Sequence, residues 1–384
     1  MREIRHIIEA QRQAQDQRKK TVLATVVHVD GSSYRRPSAR MLVDETGITT
    51  GAISGGCLEG DALRKALYAL VQNKNTLITY DTSDEDDAVV GAQLGCNGII
   101  QVLFEPVNPD SPVNPVSMLE RAIDNRNPSI LVTLFNLKTT SGPQTGTSLL
   151  LKNGEKVAGS IEEDHFADQI LKDVEQVMKE ETSLFREYVH EDVTENVFIE
   201  YFAPPISLVI VGAGNDTQVM ARMAEVPGWS ICVVDGRPTH ATKDRFTPSC
   251  QVIVSKPEAI LENITIDDRS AFVLMTHNYN YDLAVLKLLV DQPIPYVGIL
   301  GPRKKFNRML DDLKKDGVKL SESQLDKIYA PVGLEIGAET PEEISLSVLS
   351  EIQAVMTGMR GGFLREKKEP IHSRDNTQFD TIQI

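Results

Sequence analysis

The chain has 384 residues, with 40 Lys and Arg against 55 Asp and Glu for a formal net charge of −15, and 41% of its residues are apolar. That length favours two or three domains and excludes a disulfide-stapled miniprotein, and the composition is that of a soluble globular protein. The negative sign excludes nucleic acid as a partner of the surface as a whole, because such a surface repels phosphate chains. Cys57, Cys96, Cys232 and Cys250 stand far apart with no CxxC pair, so neither a disulfide framework nor a zinc ribbon is expected. The first twenty residues are dense in charge and no run of about 18 apolar residues occurs, which points to a cytoplasmic protein without a membrane span.

In chain order, residues 2 to 19 place Ile4, Ile7 and Ile8 among Arg, Glu and Gln and predict an amphipathic opening helix. Thr21 to Val29 and Ala39 to Val43 read as strands, with the turn Asp44-Glu-Thr-Gly47 closing a hairpin. A glycine-rich stretch from Gly51 to Gly60 runs into a helix over Asp61 to Gln72, and strands follow at Leu77 to Tyr80 and Ile99 to Phe104. Pro106, Pro109, Pro112 and Pro115 mark a linker. Residues 117 to 204 mix helix and strand without clear bounds, apart from a hairpin at Lys152-Asn-Gly154.

After Pro205 the pattern sharpens into a strand over Ser207 to Val211, a helix over Asp216 to Ala224 and a strand over Ser230 to Val234. Later strands fall near Ala271 to Met275 and Tyr296 to Leu300, separated by helices. This alternation predicts a doubly wound parallel sheet. The expected fold class is α/β: an amino-terminal mixed α/β module over 1–105, a connecting mixed α/β region over 106–204, a Rossmann-like domain over 205–360 and a polar, loosely ordered tail over 361–384.

Ser207-Leu-Val-Ile-Val-Gly212-Ala-Gly214 is an apolar strand turning through two glycines into a helix, a place where free N–H groups and the helix dipole favour phosphate. Thr217 stands where the fingerprint has its third glycine. Asp235 ends the next strand, where a carboxylate accepts hydrogen bonds from ribose hydroxyls. Thr276-His277-Asn278, Gly301-Pro-Arg303-Lys304-Lys305 and Gly333-Leu-Glu335 are expected on the same rim, with Arg303 and Lys304 as phosphate holders and His277 as a donor or acceptor. The plainer alternative makes these glycines packing devices, the basic pair a solvated helix start and His277 a turn residue.

Gly31-Ser-Ser-Tyr34-Arg35-Arg36-Pro-Ser-Ala-Arg40 gathers three guanidinium forks suited to phosphate or carboxylate. Ile53-Ser-Gly55-Gly56-Cys57-Leu-Glu59 sets a cysteine at or just before a helix N-terminus, where the dipole and nearby arginines favour thiolate. Cys96, between Gly95 and Asn97, has similar flanks. Against these stand surface ion pairs for the arginines and an inert core for the thiols, the reading preferred for Cys232. A structural metal site is not expected, since the separated thiols lack further ligands at short spacing.

These segments, with Leu94-Gly-Cys-Asn-Gly98, resemble the amino-terminal module of the XdhC/CoxI family of xanthine dehydrogenase accessory proteins. Val209-Ile-Val-Gly-Ala-Gly214, Val234-Asp235-Gly-Arg237, Thr276-His277, Tyr296-Val-Gly-Ile-Leu-Gly301 and Pro331-Val-Gly-Leu-Glu-Ile-Gly-Ala-Glu-Thr-Pro-Glu-Glu343 resemble its Rossmann-type module, so matches run in order from about residue 20 to 355. The resemblance implies a maturation factor that binds molybdenum cofactor (molybdopterin), helps it gain its terminal sulfur, and delivers it to an apo molybdenum hydroxylase such as xanthine dehydrogenase. A cysteine desulfurase as sulfur donor belongs to the same expectation, and a homo-oligomer is an expectation apart from it. It makes Arg35, Arg36, Arg40, Gly55, Gly56, Cys57 and Cys96 one candidate set of cofactor-binding residues, and Gly212, Gly214, Asp235, Arg237, His277 and Arg303 a second. Asn215, Asn278 and Pro302 depart from the His, acidic residue and Ser that members often carry there. An NAD(P)-dependent oxidoreductase using the second set, with His277 as proton donor, is the alternative function, and a scaffold whose glycines serve folding alone is a third.

Overall fold

In the computed structural model, which describes residues 1–31, 33–81, 98–139, 142–162, 165–368 and 380–384, helix α1 spans Arg2–Asp16. It buries Ile7, Ile8, Gln11 and Ala14, a stripe at helical spacing. Strands β1 (Thr21–Gly31), β2 (Arg40–Asp44) and β3 (Thr49–Gly51) precede α2 (Glu59–Gln72), β4 (Thr76–Asp81) and β5 (Gly98–Val107), and the strands form an antiparallel sheet in the order β3-β2-β1-β5-β4. The turn at Asp44 joins β2 to β3: its Oδ1 accepts hydrogen bonds from the backbone N–H groups of Thr46 and Ile48, both at 2.9 Å.

Of the prolines expected to form a linker, Pro106 lies near the end of β5, Pro109 and Pro112 lie in the short connection that follows, and Pro115 opens α3 (Pro115–Ile123), which Asn114 caps through a reciprocal bond pair with Ser117. Then come β6 (Ser129–Phe135), β7 (Gly146–Lys152), β8 (Glu155–Gly159), α4 (Ala167–Glu180), β9 (Leu184–His190) and β10 (Val193–Phe202). β7 and β8 are the arms of the hairpin, with Asn153 and Gly154 at positive φ as its two-residue turn requires. These strands make a second sheet whose inner face meets the first.

Alternation along the strands explains the layering. Val22, Ala24 and Val26 of β1 with Val102 and Phe104 of β5 face α2, whereas Val27 and Leu103 point inward to Phe135 of β6 and Phe198 of β10. Ile130 and Val132 of β6 and Val197 and Ile199 of β10 face α4. The residues on either side of position 105 therefore share one core, within a compact unit running from Met1 to Pro204.

The second unit, Pro205–Lys368, comprises β11 (Ser207–Val211), α5 (Asn215–Glu225), β12 (Ser230–Asp235), β13 (Gln251–Val254), β14 (Ser270–Leu274), α6 (Tyr279–Leu289), β15 (Tyr296–Ile299), α7 (Arg303–Lys315), α8 (Glu322–Asp326), β16 (Ile328–Tyr329) and α9 (Pro341–Met356). Its six strands are all parallel, in the order β13-β12-β11-β14-β15-β16. Leu208 and Ile210 face α5 and α9, while Val209 and Val211 face α6 and α7. This is the doubly wound Rossmann order, and its switch point lies between β11 and β14.

Within the expected tail, Asp380–Gln383 form β17, which pairs in parallel with β9 and belongs to the first unit. Among the described residues no helix is long and apolar enough to cross a membrane.

Candidate cofactor site

In the first unit the sequence-predicted arginines part company. Arg40 is not available to a ligand: its side chain is 3% exposed and forms a two-pronged ion pair with Glu200 of β10, Nη1 lying 3.0 Å from Oε1. Its place at the start of β2 points it into the protein, where an unpaired charge is untenable, so it serves the core. Arg35 is half-buried and gives Nη2 to both carboxylate oxygens of Glu3, at 2.7 and 2.5 Å. Arg36 is exposed, and its side chain has no hydrogen-bond or ion-pair partner among the described residues.

The loop carrying these arginines touches the glycine-cysteine loop. Oε1 of Glu3 also accepts from Ala52 N at 3.1 Å, and a Cβ at Gly55 would lie 3.2 Å from the ring of Tyr34, which is itself 76% exposed. Gly56 has φ +110° with open space around its Cα, and Cys57 beside it is exposed. Cys57 stands immediately before Leu58, the N-cap of α2. Ser54 organises this turn: its Oγ accepts from the N–H groups of Gly56, Cys57 and Leu58 at 3.1 to 3.2 Å. Glu59 in turn accepts from Ser54 N at 2.8 Å and from its hydroxyl. Burial would raise the Glu59 carboxyl, but these bonds hold it below the ordinary carboxylate range. The structure thus brings Tyr34, Arg35, Gly55, Gly56 and the adjoining Arg36 and Cys57 onto two touching loops. Cys96 and Ser32 lie outside the described residues.

In the second unit the switch-point crevice is lined by its own side chains. Gly212 has φ +127°, and a Cβ there would approach Met275 O to 2.6 Å, so only glycine fits between β11 and β14. At Gly214 the atom a Cβ would strike is the carboxylate of Asp216, whose Oδ2 lies 3.2 Å from His277 Nε2. Thr217, at the third fingerprint position, is fully buried and donates its hydroxyl to Gly214 O at 2.8 Å. Asp235 accepts from Ala213 N at 2.7 Å and from Arg237 Nε and Nη2 at 2.9 and 2.7 Å. Burial pushes its carboxyl up, but these donors prevail and hold it below its usual range. An acid so engaged has little left to accept from ribose hydroxyls.

Arg303 donates to Ala330 O at 2.7 Å and Lys305 pairs with the buried Asp282 at 2.7 Å, so of the basic trio only Lys304 is exposed without such an anchor. The departures noted in the sequence have local roles. Asn215 accepts from Arg245 at 3.0 Å, Asn278 caps α6 through Tyr281 N at 3.2 Å, and Pro302 stands at the N-cap of α7. Cys232 and Cys250 are buried, and burial pushes both thiols up to about 12, which makes them inert at neutral pH. Sequence reasoning missed Glu3, Ser54, Asp216 and Arg245. None of the four carries a capping signal: Ser54 stands five residues before Glu59, not the three of a capping box, and the N-cap is Leu58.

Comparison with known proteins places these two units. Residues 14–81 match the XdhC and CoxI family and residues 208–352 match the XdhC Rossmann domain. The chain is 32% identical over 337 residues to a Bacillus subtilis (strain 168) protein named as a probable xanthine dehydrogenase subunit, covering 88% of this chain and 93% of that one. It is 24% identical, again over 337 residues, to the molybdenum cofactor insertion chaperone PaoD of Escherichia coli (strain K12), with 88% and 84% covered. A crystal structure from Bacillus halodurans described as a xanthine dehydrogenase superposes with a TM-score of 0.72 at 29% identity, covering 92% of this chain and 96% of its own. The chain belongs to the XdhC and CoxI family, with that family's Rossmann domain as its second unit.

Proposed function

We propose that this protein binds molybdenum cofactor as cargo, holds it through the gain of its terminal sulfur, and hands it to an apo molybdenum hydroxylase of the xanthine dehydrogenase type. The named role of its relative as an insertion chaperone supports the binding and delivery. Sulfuration, with a cysteine desulfurase as donor, extends the same reading.

The observation that carries the proposal is the meeting of the Tyr34–Arg36 loop with the Gly55–Cys57 loop. The cargo is a flat pterin bearing an anionic phosphate and a metal with soft sulfur ligands. Arg36 offers phosphate an exposed guanidinium fork with no partner among the described residues, Tyr34 an open ring face to a heterocycle, and Cys57 a soft, accessible sulfur toward molybdenum. Openness suits a carrier, because a few exposed contacts release what a closed pocket retains. The nucleotide-enzyme alternative meets Asp216 at the phosphate seat and Arg237 across the ribose acid.

The test is anaerobic co-purification with mass spectrometry of the small molecule released. Molybdopterin at near one per chain is the expected result, weakened in Cys57→Ala and Arg36→Ala. Release of NAD(P) instead, or no pterin at all, overturns the proposal.

A further inference from the structure

We propose that Glu3 is a positioning residue that latches the arginine loop to the thiol loop and so sets the mouth in which cargo sits. The inference deepens the functional reading above and rests on it.

Glu3 lies in the first turn of α1, outside both loops. Its single carboxylate accepts twice from Arg35 and once from Ala52 N, joining residues distant in sequence through one charged group. The helix does not depend on that carboxylate for its seat. Ile7 and Ile8 are buried in the core beneath α1, and Ile7 reaches to within 3.2 Å of where a Cβ of Gly51 would stand, at the root of the thiol loop. α1 is therefore a fixed post, and Glu3 is the hook on it.

Arg36 follows Arg35 directly, and Cys57 lies two residues beyond Gly55, which rests on Tyr34. With the latch closed, the two groups that meet cargo are ordered before cargo arrives. With it open, that ordering is charged against binding. A half-exposed ion pair adds little to folding stability, so loss of the latch is felt at the site and not in the melting temperature.

The experiment uses the full chain and molybdopterin as probe. Glu3→Gln and Arg35→Gln are each expected to lower pterin affinity on the order of 10-fold, with a melting temperature like that of the unsubstituted protein. Because both act through one latch, the double variant is expected to bind no more weakly than either single one. Glu3→Asp keeps the charge at shorter reach and is expected to restore part of the affinity. Hydrogen exchange at Ala52 N–H reads the latch without any ligand and is expected to speed up in Glu3→Ala, which removes the accepting oxygen. If the unsubstituted protein takes up no pterin, the functional reading falls, while this exchange still judges the latch. Unchanged Ala52 exchange in Glu3→Ala, or additive losses in the double variant, overturns the proposal.

Discussion

Three arginines within six residues, chemically identical, have three fates, and the difference lies in partners that sequence proximity does not reveal. Glu3 and Glu200 stand 32 and 160 residues from the arginines they bind. Arg40→Ala leaves the Glu200 charge buried alone and is expected to destabilise the protein by about 3–5 kcal/mol, read by urea unfolding. Arg36→Ala is expected to leave stability within about 0.5 kcal/mol, because its side chain is exposed and meets no partner among the described residues. An equal loss from both would contradict this division of roles. The cysteines divide similarly. Iodoacetamide on the native protein at pH 8 is expected to label Cys57 and to spare Cys232 and Cys250, with peptide mass spectrometry as the check. The exposure of Cys57 was legible in its glycine neighbours, and the burial of Cys232 in the β-branched strand around it.

Among elements, β11, β12, β14, β15 and α5 were readable because they repeat one pattern, a short apolar run, a turn and a helix, whereas β13 and β16, four and two residues long, carry too short a run to announce a strand. Apart from the hairpin at Asn153-Gly154, residues 117–204 were not readable, for a definable reason. β6 and β10 are covered on both faces, by α4 and by the inner core, so the polar alternation that announces a strand is missing. Gly212 was legible as a turn, though its glycine answers first to the backbone of Met275. Gly212→Ala is expected to cost more than about 2 kcal/mol in thermal or urea unfolding, and a cost near zero would contradict that account.

The turn between β2 and β3 carries a pH signature. Burial alone would raise Asp44, but bonds from Thr46, Ile48 and Lys19 outweigh it and bring its carboxyl down to about 2 from an ordinary 3.8. A carboxyl depressed on folding contributes stability that is complete above its unfolded value and is lost as pH falls toward the folded one. Unfolding measured from pH 6 to pH 2 is therefore expected to show about 2 kcal/mol disappearing between roughly pH 4 and 2, and Asp44→Asn is expected to flatten that part of the profile.

At the scale of the whole molecule, the second unit has two cores of its own, one on each face of its sheet. Pro205–Lys368 expressed alone is expected to unfold cooperatively, by circular dichroism and calorimetry, and a chain without a transition would contradict its independence. The start of this unit was visible at Pro205, whereas β17 was not foreseen, because its four residues become a strand only against the edge of β9. Cargo binding is assigned to the first unit and not to the Rossmann unit. The most direct measurement is the molybdopterin content of anaerobically purified protein, compared among the unsubstituted chain, Cys57→Ala with Arg36→Ala, and Asp235→Ala. The account predicts near-stoichiometric pterin in the first and last proteins and a marked loss in the loop variant. Full retention by the loop variant with loss in Asp235→Ala would contradict it.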